Sequence, residues 1–233
     1  MKRDCERFAA VKEHFNSEAG EFDSIITDRV PFYGLFIGAL VNVLPFRKDE
    51  AIRVADLGCG TGAVARRVKE RFPEAEITCV DFSPEMLSSA RKELIGYTKI
   101  LYHAGDVREF EFKDYHAVLS SLCLHHIGSK KEKRNFFRKV REGLLLGGVF
   151  YIYDVITASS NILQDVYLRE WKRSMSEKLS PPDVEETLHK YREEDRPFAL
   201  MDELRWLEEA GFKDVDVICK FYNGAVYGGV KRD

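Results

Sequence analysis

At 233 residues the chain is long enough for one α/β domain with a full core. Its composition, 45% hydrophobic and 32% charged, excludes a disordered chain, and its formal net charge of -3 excludes a global pull toward nucleic acid or an anionic membrane. Five cysteines without paired spacing (Cys5, Cys59, Cys79, Cys123, Cys219) exclude a disulfide framework or a zinc knuckle and fit a reducing cytoplasm.

Met1 to Arg7 lacks the apolar run of a secretory signal, so none is expected. Residues 8–44 read as helical, within a helical N-terminal cover over 1–48. Ile26, Val30, Tyr33, Ile37, Leu40 and Leu44 recur there at three- and four-residue spacing. The uncharged stretch from Phe32 to Phe46 is broken by Pro45 and too short to cross a bilayer, so a buried helix is expected. The apolar face of residues 25–44 fits packing within the chain and a homodimer equally well.

From Ile52 strand and helix alternate. Strand-like runs at 52–56, 76–81, 98–103, 115–121 and 148–154 enclose amphipathic segments at 62–72, 84–95 and 130–145. Near-continuously apolar strands in such alternation predict a parallel sheet with helices on both faces. Ser83-Pro84-Glu85 has the form of a capped helix start. The lysines and arginines between Lys130 and Arg141 read as a solvated helix face. A polar helical insertion after strand five, 157–197, is interrupted at Ser180-Pro181-Pro182. Tyr167, Trp171 and Met175 on it are spaced for packing into a core. Helix 201–210 and strand-like runs 214–221 and 224–230 close the chain, the last two spaced for a hairpin at Asn223-Gly224. The expectation is a single domain.

The chemistry concentrates in Val54-Ala55-Asp56-Leu57-Gly58-Cys59-Gly60-Thr61-Gly62, an apolar strand ending in a glycine turn before a helix. Such glycines permit positive φ and clear the backbone for a ligand, and the helix start offers N–H groups to an anion. Asp81, about 20 residues further on at the end of the next strand, is placed to accept from ribose hydroxyls. Gly58, Gly60 and Ala63 satisfy a dinucleotide pattern, so a nicotinamide dinucleotide competes here with S-adenosylmethionine. Asp56, before the first glycine, repels a pyrophosphate and suits the ammonium of S-adenosylmethionine. Asp106, after the third strand, is spaced to meet an adenine amino group.

Asp-Leu-Gly-Cys-Gly-Thr-Gly, the block Val80 to Leu87, Gly105-Asp106-Val107 and Leu144 to Phe150 together resemble class I S-adenosylmethionine-dependent methyltransferases over residues 50–155. The resemblance implies a Rossmann-like α/β fold with a seven-stranded, mostly parallel sheet in the order 3-2-1-4-5-7-6. Phe22-Asp23 through Tyr33 and the closing Phe221 to Gly229 are similar to carboxy-S-adenosylmethionine synthases of tRNA wobble-uridine modification. By that likeness Tyr33, Gly58, Cys59, Gly60, Asp81, Phe82, Asp106, Val107 and Ser121 meet the cofactor, and with Asp56, Gly62 and Met86 they make up the expected cofactor-binding set. Where that subfamily has an arginine for the extra carboxylate, this chain has Trp206, with Arg205 one position away. A one-residue offset turns a helical side chain by about 100°.

His125 and His126 follow strand four at the rim where open α/β sheets bind ligands, and a general base is expected at His126. Asp154, ending strand five, is expected to point into the acceptor pocket. No metal site is expected, since no further Cys/His pair lies near the two histidines. The expected function is methyl transfer from S-adenosylmethionine to a small molecule in the cytoplasm, with no sign of nucleic acid or membrane. Carboxy-S-adenosylmethionine synthesis and a non-catalytic cofactor-binding role are the alternatives.

Overall fold

The computed structural model of the chain describes residues 2–20 and 22–233, with backbone alone for residues 2–6, 8 and 9. Met1 and the side chain of Cys5 fall outside the described residues. The 8–44 stretch is divided among three helices: α1 (Lys2–Glu18), α2 (Phe22–Arg29) and α3 (Tyr33–Asn42). Pro31 is the cause of the second break, because proline lacks an N–H and drives the residue before it out of helical geometry. Phe32 then takes a left-handed φ of 59°, and α2 and α3 meet at 99°. The apolar periodicity across 26–44 is therefore shared by two axes. α3 buries Phe36, Ile37, Leu40 and Val41, as an uncharged stretch should. No single helix among the described residues is long and apolar enough to cross a membrane.

Seven strands form one sheet: β1 (Arg53–Leu57), β2 (Glu76–Asp81), β3 (Ile100–Ala104), β4 (Tyr115–Ser121), β5 (Leu144–Val155), β6 (Lys213–Phe221) and β7 (Gly224–Val230). Their order is β3-β2-β1-β4-β5-β7-β6, with β1 to β5 parallel and β7 antiparallel to both neighbours. This is the α/β, Rossmann-like order the resemblance implied. The order reverses between β1 and β4, which opens a crevice at their carboxyl ends.

Helices α4 (Ala63–Arg71), α5 (Pro84–Glu93), α6 (Lys130–Gly143), α7 (Asn161–Met175), α8 (Pro181–Glu194) and α9 (Leu200–Glu209) complete the chain. One sheet face packs Val54, Ile77 and Tyr153 against Phe36, Leu40, Val64 and Val68 of α3 and α4. The other packs Val118, Phe150 and Tyr227 against Phe137, Val140 and Leu207 of α6 and α9. Two apolar faces explain why these strands lack polar alternation. The insertion has its own small core of Trp171, Met175, Val184 and Leu188. Its Ser180-Pro181-Pro182 interruption is the start of α8, where proline loses nothing because first-turn N–H groups have no helical acceptor.

Candidate functional site

The glycine turn closes on itself before it faces any ligand. Gly58 and Cys59 both donate N–H to Val80 O, at 2.8 and 3.1 Å, and Gly60 N–H donates to Asp81 Oδ2 at 2.9 Å. These three amides are spent inside the protein. The glycines instead supply room. Gly58 and Gly60 have φ of 64° and 53°, and a Cβ on Gly58 would lie 2.4 Å from Cys123 Sγ. Gly62 turns away from the cleft, and its missing Cβ admits Leu94.

Asp81 stands at the β2 tip, buried, and also accepts from Ser83 N–H at 2.9 Å. Burial pushes its carboxyl above the ordinary range, against the pull of the Ser83 and Gly60 amides. A carboxylate has about four acceptor sites, so two amides leave capacity for a ribose diol. Ser83 Oγ accepts from Met86 N–H at 3.0 Å and so caps α5. Asp56 lies beneath the turn, fully buried, accepting from Ala65 N–H at 3.1 Å. Burial, with a smaller push from Asp81, raises its carboxyl to about 7.

A cleft results, with about 590 Å³ of empty space including its open mouth. Its walls include Tyr33, Asp81, Phe82, Met86, Ser121 and His126, with Phe15 and Phe22 from the N-terminal helices. Asp81 is its lone acid, and neither lysine nor arginine lines it among the described residues. An adenosyl sulfonium fits this donor set. The carboxylate suits a diol, and the aromatic rings of Phe15, Phe22 and Tyr33 in the wall suit a cation. A pyrophosphate would find no cation and one carboxylate.

Of the expected set, Tyr33, Gly58, Cys59, Gly60, Asp81, Phe82, Met86 and Ser121 line the cleft. Asp56 and Gly62 stand behind it. Asp106 and Val107 do not reach it: Asp106 is paired with the guanidinium and N–H of Arg108, and Val107 is buried in the core on the α6 side. The acid assigned to adenine is neutralised two residues along its own chain.

A second cavity, about 740 Å³, adjoins the cleft and shares Phe15, Phe22, Leu122 and His126 with it. The two histidines sit on a 3-10 turn (Leu124–His126) after β4. Lys133 holds this turn, its buried Nζ donating to Leu124 O at 2.8 Å and pairing with Glu203 at 3.0 Å. Lys133 thus departs from the solvated face expected for its helix.

The histidines divide their roles. His125 Nδ1 bonds to Asp154, and its Nε2 lies 3.4 Å from Asp195. Burial lowers its pKa, but the two carboxylates outweigh that and raise it to about 10. His126 is held neutral, its pKa lowered to about 3 by burial and by His125. Both its ring nitrogens are buried without a hydrogen-bond partner. Asp154 is fully buried and lines neither cavity, because its carboxylate serves His125 instead of an acceptor. His125, His126 and Asp195 bring ligand atoms within 4.8 Å of one another. The sequence argument against a metal looked for another Cys/His pair nearby and missed Asp195, which arrives from the end of α8.

Several site residues lay outside the sequence reading. Phe15 walls both cavities, Asn16 accepts from Ser83 Oγ at 2.6 Å, and Asp23 accepts from Thr61 Oγ1. They latch α1 and α2 over the cleft. The Phe22-Asp23 pair was the available signal, since it already carried part of the resemblance. Cys59 and Cys123 stay protonated: the Cys79 hydrogen bond and then burial raise the first, and burial raises the second. Neither is a ready thiolate nucleophile.

Residues 54–148 match a family model described as "Methyltransferase domain". Carboxy-S-adenosyl-L-methionine synthase of Campylobacter hominis is 25% identical over 226 residues, covering 93% of this chain and 94% of its own length. The same enzyme of Nautilia profundicola is 20% identical over 214 residues, covering 90% of each. Among solved structures, human N-acetylserotonin methyltransferase in complex with S-adenosylmethionine shares the fold. Its TM-score is 0.65 at 14% identity, over 95% of this chain and 57% of that one.

Proposed function

We propose that this chain, which matches a methyltransferase-domain model over residues 54–148 and is similar to carboxy-S-adenosylmethionine synthases, is a class I S-adenosylmethionine-dependent methyltransferase that moves an unmodified methyl group to a small acceptor seated in the second cavity. S-adenosylmethionine, when bound, supplies a methyl carbon already activated by the sulfonium. The protein's part is therefore alignment and exclusion of water. Asp81 and the glycine turn fix the nucleoside end, and Phe15, Phe22 and Tyr33 enclose the sulfonium end. His126 lies in the wall common to both cavities.

The observation that carries this reading is the lack of a lysine or arginine in the cleft wall among the described residues. A carboxymethyl sulfonium adds a carboxylate that needs a cation where it is buried. Trp206 is buried against Phe198 in the core on the α6 side, and Arg205 is an exposed residue paired with Asp202 at 2.9 Å. Neither offers that cation. Calorimetric titrations with S-adenosylmethionine and with its carboxylated form test this directly. The plain compound is expected to bind at least about tenfold tighter, given the cost of burying an unpaired carboxylate. Tighter binding of the carboxylated form contradicts the proposal.

A further inference from the structure

The second cavity is ringed by charge, yet its charges are already matched. His14 bonds to Glu194 through Nδ1 at 2.8 Å and meets Glu18 at 3.0 Å. Arg29 donates to both Glu18 carboxylate oxygens at 2.9 and 3.0 Å. Lys190 pairs with Glu18 at 3.0 Å and with Glu186 at 3.1 Å. Asp195 is met by His125, whose other nitrogen takes Asp154. Thr187 Oγ1 donates to Asp183 O at 2.9 Å. Among the described residues, the wall cations His14, Arg29, Lys190 and His125 are thus each paired, with Glu18, Glu194 and Asp195 in the wall and with Glu186 and Asp154 outside it.

Between these pairs the wall is apolar: Phe15, Ile25, Ile26, Leu122, Val155 and Trp171. Among the described residues, the polar side chain in the wall that has buried atoms with nothing to bond is His126. Asp195 Oδ1 lies 3.7 Å from His126 Nδ1. That carboxylate favours the tautomer with its proton on Nδ1 and leaves Nε2 as a bare acceptor.

We propose that the second cavity takes an uncharged acceptor with an apolar body and one weakly acidic X–H group, a phenol or a thiol, which donates to Nε2 of His126 and is the atom methylated. The inference rests on the methyl-transfer reading above. An anionic or cationic acceptor would have to break an existing ion pair or stay unpaired against the apolar part of the wall. A neutral donor satisfies the orphaned imidazole nitrogen at no such cost. In the reaction the X lone pair forms the bond to the methyl carbon. The carbon–sulfur bond breaks with its electron pair going to sulfur, and the X–H proton passes through His126 Nε2 to water. A weak base is enough only for an acidic X–H, which favours phenols and thiols over alcohols.

The test uses full-length protein saturated with S-adenosylhomocysteine, whose binding is first verified by calorimetry, so that loss of the cofactor site is seen separately. Matched probes are then titrated: para-ethylphenol against para-hydroxyphenylacetate, and benzyl mercaptan against mercaptomethylbenzoate. In at least one pair the neutral member is expected to bind about tenfold or more tighter. With labelled S-adenosylmethionine, His126→Phe should cut kcat for that probe by roughly 100-fold with little change in KM, whereas His126→Gln, whose amide oxygen still accepts, should retain more. Preference for the charged member in both pairs, no binding of either neutral probe to cofactor-loaded protein, or equal turnover by His126→Phe overturns the proposal.

Discussion

The cofactor cleft and the cavity beside it share a wall but are built on different principles. The floor of the first is made within one stretch, from Asp56 to Met86. There backbone amides, three turn glycines and one strand-end carboxylate are fixed by local geometry. The second is assembled from α1, α2, the 3-10 turn and α8, and is closed by ion pairs between residues as much as 180 positions apart. A cleft made of backbone recognises a ligand common to a whole fold. A cavity made of distant side chains is where one chain differs from its relatives.

The contrast breaks most sharply at Gly58. Gly58→Val would drive a branched side chain into Cys123, 2.4 Å from its first carbon, and strain a φ of 64°. Loss of measurable S-adenosylmethionine binding is expected, with a stability cost of about 2–4 kcal/mol in denaturant unfolding. Asp81→Ala should weaken cofactor binding by about 1.5–3 kcal/mol by calorimetry, through lost charge-assisted bonds to the ribose. No change in that variant would mean that the cleft binds something else.

Two pH windows sharpen the comparison. Asp56 has its pKa raised by burial from 3.8 to about 7, so its contribution to stability is full below 3.8 and is lost as pH rises through about 7. In Asp56→Asn the fall in melting temperature over that window should flatten. His14 in the cover is lowered by burial but raised more by Glu18 and Glu194, from 6.5 to about 9. Its contribution is present below 6.5 and lost as pH rises through about 9. His14→Gln should flatten only this later window, because His14 touches the cover and not the glycine turn. The smallest effect is expected at Arg205→Ala, where cofactor affinity should stay within about 0.5 kcal/mol, as for other exposed positions.

The same contrast explains what the sequence could disclose. Strands, glycine turn and Asp81 were legible because their signals are short-range: period, φ demands and a fixed spacing. The break at Pro31 was legible in principle, yet an unbroken apolar stripe concealed it, since periodicity does not register a change of axis. The pairing of Asp106 with Arg108 was not legible, because a Gly-Asp pair after a strand does not tell whether Arg108 will claim the carboxylate. Asp154 misled for the same reason, its partner His125 being 29 positions away. Asp195 carries no signal in the sequence, and Lys133 reads as part of a solvated face though it is buried. Their roles exist only after α8 and α6 have packed, and no local pattern marks a lysine that will be buried.

Both regions depend on what occupies the crevice at the β1 and β4 tips, and mass spectrometry of the nucleoside released from purified, denatured protein addresses that most directly. The account predicts S-adenosylmethionine or S-adenosylhomocysteine. A nicotinamide dinucleotide would contradict the cofactor assignment, and a sulfonium heavier by one carboxyl group would contradict transfer of a plain methyl group.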